Sequence, residues 1–67
     1  MFNKAKAKEI LSKADGAWVG YKDRLVTNWG TGIFELETWE NKNYHFSTTE
    51  SIEIALRFLE EGCALYA

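Results

Sequence analysis

Residues 28 to 41, NWGTGIFELETWEN, hold the residue types in this chain whose spacing could do chemistry. Gly30-Thr31-Gly32 could cradle a phosphate if a helix began directly after it, because the helix N-terminus would then meet the anion. The next residues are IFELETW, a strand pattern, and no Gly-Lys-Ser/Thr completes a phosphate loop. Two glycines in three residues between strand patterns predict a hairpin turn instead. Glu35 and Glu37 share one face of the second strand, with Glu40 just beyond. Paired carboxylates can hydrolyse glycosides or hold a hard cation. Positions i and i+2 on a strand, however, sit roughly 7 Å apart from geometry alone, and nothing else in the sequence converges on them. The plain reading is a solvated acidic face, suited to a basic partner.

Other reactive types are sparse. His45 is the single histidine, so no histidine-rich metal set exists, and Cys63 is the single cysteine. A Cys–His nucleophilic pair needs both in one pocket with a third, orienting group, and neither lies in a recognisable motif. The sequence points to no cofactor, no metal site and no catalytic residue, and the chain is read as non-enzymatic. Trp18, Trp29 and Trp39 carry more information. Three such rings are hard to bury fully in a small core, and exposed Trp and Tyr are enriched at binding hot spots. Trp39 alternates in phase with Glu35 and Glu37, which makes it the candidate exposed anchor. The same rings could stack on single-stranded bases, but acidic neighbours repel phosphates. Lys4, Lys6, Lys8 and Lys13 flank an apolar stripe on the first segment and could touch an anion, or could simply form a solvated helix face.

The elements that must position these residues emerge from periodicity. Asn3 caps a helix over residues 3 to 14, with Phe2 before the cap where it could staple onto Ala7, and with Ala7, Ile10, Leu11 and Ala14 at helical spacing. Gly16 stops that helix. AWVGY (17–21), RLVTNW (24–29), IFELETW (33–39) and YHFST (44–48) read as short strands joined by Lys22-Asp23, the glycine turn and Asn41-Lys42-Asn43. The last segment, TESIEIALRFLEEGCALYA, reads as a helix capped by Thr48 or Thr49. Its wide apolar face holds Ile52, Ala55, Leu56, Leu59, Cys63 and Tyr66. Ile54, Phe58 and Leu65 form a second stripe beside it, beyond the roughly 100° arc that covering one sheet requires. An uncovered stripe of that kind marks an interface.

A chain of 67 residues makes one domain near the lower size limit for a single core, and an aromatic share of 15% supplies the bulk for that core. One cysteine allows no internal disulfide and indicates a reducing, cytoplasmic setting. No apolar run has the length of a signal peptide or a membrane span. The net charge of −2 is divided unevenly, with +3 over residues 1 to 24 and −5 over residues 25 to 67. That asymmetry steers partners, and the acidic balance argues against general nucleic-acid binding. The expected architecture is α+β in the order α-β-β-β(-β)-α, an antiparallel sheet with two helices packed on one face.

The expected function is a non-enzymatic protein-binding module, with Glu35, Glu37, Trp39 and Glu40 or Ile54, Phe58 and Leu65 as contact residues. In size and style the chain resembles the small α+β inhibitors that phages and mobile elements direct against host enzymes, including the anti-CRISPR type. That resemblance implies a host defence or nucleic-acid-handling enzyme as the target. The alternatives are a nucleic-acid or nucleotide binder using the helix lysines and the aromatics, and a structural homodimer or small subunit of a larger complex.

Overall fold

The Asn3 backbone is extended, and its side-chain oxygen accepts the Lys6 N–H at 3.0 Å, which satisfies one of the donors a helix start leaves unpaired. From that cap the computed structural model, which describes residues 1–39 and 42–62, runs into α1 (Lys4–Lys13). Ala7 and Leu11 face the core, and Phe2 packs against it with its ring 5.1 Å from that of Tyr21. The helix ends at Ala14, and Gly16 at φ 85 turns the chain back so that its N–H donates to the Asn28 carbonyl at 2.6 Å. Glycine adopts this left-handed backbone without steric cost.

Four strands come next, β1 (Trp18–Tyr21), β2 (Arg24–Asn28), β3 (Phe34–Thr38) and β4 (His45–Thr49). They pair antiparallel in sequence order, so the sheet is a simple meander. The register assigns every side chain to a face. Val19, Val26, Leu36 and Ser47 lie in one cross-sheet row, and Tyr21, Arg24, Thr38 and His45 in another. These rows, with Phe34, meet the helices. Val26, Phe34 and Leu36 join Ala7, Leu11, Ala55, Leu56, Phe58 and Leu59 in one buried cluster. Both helices therefore cover the same face, as expected. Burial alternates along β3 as the sequence does, with one side dry and the other more open.

The final helix, α2 (Ile52–Glu61), starts later than the sequence suggests. Thr49 is still paired with Phe34 in the sheet, so the chain cannot turn helical until it leaves that ladder. Ser51 is the cap, accepting from the Ile54 N–H at 3.3 Å, while the Thr49 hydroxyl accepts from the Ser51 N–H at 3.1 Å and shapes the approach. Gly62 closes the helix at φ 74 and donates to the Phe58 carbonyl at 2.7 Å. Cys63, Leu65 and Tyr66 lie outside the described residues.

Phe58 corrects the second-stripe reading. It is fully buried rather than displayed, because α2 touches all four strands and α1 as well. A helix wedged between a sheet and another helix buries a wider arc than one resting on a sheet alone. Ile54 stays 43% exposed. Leu65 lies outside the described residues, so of the two stripe residues that are described only Ile54 is exposed.

The central strand β2 also ties both helix ends. Arg24 sends its Nε–H to the Leu59 carbonyl at 2.9 Å and its Nη2–H to the Glu60 carbonyl at 3.3 Å, in the last turn of α2. Asn28 at the opposite end donates its amide to the Leu11 carbonyl at 2.7 Å, in the last turn of α1. Each satisfies carbonyls that a helix C-terminus leaves without partners, and the guanidinium also opposes the negative end of the helix dipole. No helix of the described residues is long and apolar enough to cross a membrane.

Candidate functional site

The glycine turn is the first candidate. Residues 29–33 join β2 to β3, and the Trp29 N–H donates to the Ile33 carbonyl at 3.0 Å across the turn. The loop leads into a strand, so no helix N-terminus stands where a phosphate would need one. Gly30 has two reasons to be glycine. Its φ is 87, and a Cβ there would sit 2.7 Å from Cγ of Asp15. Its N–H is held by the Asn28 side-chain oxygen at 2.8 Å. The loop is a hairpin turn.

The sheet face away from the helices is where the remaining candidates gather. Trp18, Thr27, Glu35 and Thr48 form one row across it, and Gly20, Leu25, Glu37 and Phe46 form the next. Trp39 and Tyr44 continue the pattern beyond the ends of β3 and β4, with ring centroids 5.5 Å apart and planes tilted by 52°. Trp29 follows the inward Asn28 and so falls on this side too. All three tryptophans, together with Tyr44 and Phe46, are roughly half or more exposed here. Scattered surface apolar residues are ordinary, whereas several large rings on one sheet face, two of them in contact, are a feature that interaction surfaces carry.

Glu35 and Glu37 sit half-buried in the middle of this surface. The Tyr44 hydroxyl donates to Glu37 Oε2 at 2.7 Å, which fixes the carboxylate against the sheet. This bond, then partial desolvation and the negative charges of Glu37 and Glu35, push the Tyr44 phenol up to about 12 from its usual 10.0. A raised folded-state value means the contact contributes stability in full below the unfolded value. That contribution disappears as the pH rises from about 10 to about 12. Glu37→Gln removes the charge and weakens the acceptor, so Tyr44 is expected to titrate closer to 10.0 in that variant. NMR of the tyrosine ring carbons against pH reads this directly. An unchanged Tyr44 titration would break the assigned cause.

Among the expected contact residues, Glu35, Glu37 and Trp39 share this outer face, and Glu40 lies outside the described residues. Ile54 is on the helix side of the molecule. The features of the nucleic-acid alternative are not brought together. Lys4 and Lys8 pair with Glu53, and Lys6 and Lys13 with Glu9, on a helix that covers the opposite side of the sheet from the tryptophans. Sequence reasoning singled out Trp39 but passed over Tyr44, Phe46 and Trp18 as members of the same surface. The alternation of YHFST already put Tyr44 and Phe46 together, but nothing in it said which of its two faces was buried. His45 stands opposite Thr38 on the helix side.

A cleft of about 190 Å3 opens between α1 and β1, lined by Phe2, Lys6, Ile10, Val19 and Tyr21 among others. Among the described residues it brings no carboxylate, histidine or cysteine to its walls. Among the described residues no three His, Cys, Asp or Glu groups cluster to hold a metal ion.

Comparison with protein-family models, curated proteins and solved structures finds no match. The surface itself carries the functional reading.

Proposed function

We propose that this chain is a non-enzymatic protein-binding module whose contact surface is the outer sheet face. The observation that carries the reading is the exposure of Trp18, Trp29, Trp39, Tyr44 and Phe46 on the sheet face that no helix of the described residues covers. Large amphipathic rings supply contact area at little side-chain entropy cost and dominate interface energetics. Glu35 and Glu37 in the middle add a negative field that steers a positively charged surface into register. A basic protein, such as one whose own task is to grip nucleic acid, meets both requirements. In this reading the module is a small inhibitor of a host defence or nucleic-acid-handling enzyme, acting in the cytoplasm, where a single cysteine stays reduced.

Capture from a host lysate with the wild type and with Trp18→Ala/Trp39→Ala, followed by surface plasmon resonance on the recovered protein, tests this. Loss of two aromatic anchors is expected to weaken binding by on the order of 100-fold, mainly through faster dissociation. Trp18 is 64% and Trp39 47% exposed and neither belongs to the buried core, so the variant should fold, with circular dichroism as the control. Undiminished binding by the folded variant would move the interface to the helices.

A further inference from the structure

We infer that the patch formed by Trp39, Tyr44, Phe46 and Glu37 receives a cationic side chain, an arginine or lysine on a basic segment of the partner. The inference rests on the outer face being the binding surface and says what that surface recognises.

The geometry supplies the three components that hold a desolvated cation. The first is a pair of ring faces. Trp39 and Tyr44 stand 5.5 Å apart at 52°, tilted rather than stacked, and each is about half exposed, so ring surface of both reaches solvent. The second is a further ring, Phe46, 56% exposed and directly across the ladder from Glu37. The third is the charge. Glu37 is half-buried between Leu25 and Phe46, and the Tyr44 hydroxyl occupies Oε2. The carboxylate is thus pre-oriented, and its Oε1 has no donor among the described residues. Ring quadrupoles attract a cation placed over them, and a carboxylate at the edge adds a charge-assisted hydrogen bond.

The same chain already uses this combination within itself. The Arg24 guanidinium lies 5.9 Å from the centre of the Tyr21 ring with Nη1 3.7 Å from Asp23, and Lys22 lies 5.5 Å from the same ring. On the outer face the rings and the carboxylate are present, and the strand rows contribute no lysine or arginine; the nearest in sequence is the exposed Lys42, in the loop that joins Trp39 to Tyr44.

Charge also decides between occupants. A second copy docked face to face over the middle of the sheet would bring the Glu35 and Glu37 of both copies together, and like charges juxtaposed across an interface disfavour that pairing strongly. A nucleic acid would bring phosphates against the same two carboxylates. A basic peptide segment meets neither obstacle.

The test is an amide and indole NMR titration with a short Gly-Arg peptide and its citrulline twin, which keeps the shape and loses the charge. The three tryptophan indole N–H signals report on the three rings separately. The arginine peptide is expected to shift the Trp39 indole, Tyr44 and Glu37. It is expected to bind roughly five- to tenfold tighter than the citrulline peptide at low salt. That advantage should shrink as salt rises from about 20 to about 200 mM. Glu37→Gln should erase most of the advantage, and Trp39→Ala should weaken both peptides. Equal binding of the two peptides on the outer face would overturn the cationic seat while leaving the binding-face reading intact. Shifts confined to other surfaces, or no shifts with either peptide, would also overturn it. The binding-face reading itself falls only if the double tryptophan variant still captures its partner. Because the two peptides are compared on unmodified protein, the result does not depend on any variant folding.

Discussion

Phe58→Ala is expected to lower the free energy of unfolding by about 3–5 kcal/mol. Phe58 is the largest fully buried side chain among the described residues, and it belongs to the one buried cluster that α1, α2 and the sheet share. The loss combines the transfer energy of the ring with the void it leaves, and a helix wedged on two sides has little freedom to collapse into that void. A 67-residue chain has roughly 3–10 kcal/mol of stability to begin with. The variant should therefore be largely unfolded or close to it at physiological temperature. Urea denaturation followed by circular dichroism measures the effect. Ile54→Ala on the same helix is the internal comparison. Ile54 is 43% exposed, and its truncation should cost under about 1 kcal/mol. Equal stabilities for the two variants would contradict the assignment of Phe58 to the core. Replacing Phe58 with a charged residue would likewise report on folding, not on an interface.

Arg24→Ala is expected to cost about 2–3 kcal/mol, a large effect for one polar side chain on a sheet. Its two charge-assisted bonds reach the Leu59 and Glu60 carbonyls, and its side chain is only 14% exposed. Truncation leaves those carbonyls unpaired at a helix end and removes a positive charge from the negative pole of the dipole. Arg24→Lys should recover only part of the loss, because an ammonium cannot span two carbonyls as the planar fork does. Amide hydrogen exchange should show the damage concentrated in the last turn of α2 rather than spread over the sheet. Gly62 probes the same contact from the other side. A Cβ at Gly62 would lie 2.8 Å from Nη1 of Arg24, and the backbone there has φ 74. Gly62→Ala should cost more than about 1 kcal/mol. In the Arg24→Ala background the cost should fall, since the crowding disappears and only the backbone strain remains. A strictly additive double variant would show that the two residues do not touch in solution.

Much of the fold was legible because local signals agreed with one another. Asn3 before an alternation of lysines and alanines marked a helix start. The change from a helical to a two-residue period after Gly16 marked the sheet, and paired glycines at 30 and 32 marked the hairpin. What stayed hidden depended on partners far away in the chain. Thr49 looks like a helix cap until its pairing with Phe34 is known. Phe58 looks like surplus apolar surface until α1 is seen to lie against α2. Arg24 and Asn28 read as ordinary strand residues, because no local pattern reveals a side chain that reaches 35 or 17 positions along the sequence to close a helix. The candidate site was legible in outline for the same reason as the fold. Alternation put Glu35, Glu37 and Trp39 on one side, and only the register could add Trp18, Tyr44 and Phe46.

The alternation along β3 has a consequence for how such a sequence can change over time. Phe34, Leu36 and Thr38 are buried and hold the domain together, while Glu35, Glu37 and Trp39 between them face outward. Neighbouring codons thus answer to different demands, folding at even positions and the chemistry of the outer surface at odd ones. Substitutions at 35, 37 and 39, together with 18, 46 and 48 on the adjoining strands, can alter what the surface meets while leaving the buried layer untouched. A library randomised at those six positions should yield a high proportion of folded members with divergent binding. One randomised at 34, 36 and 38 should yield few that fold at all. A protein built this way can change its outer surface without re-solving its own packing.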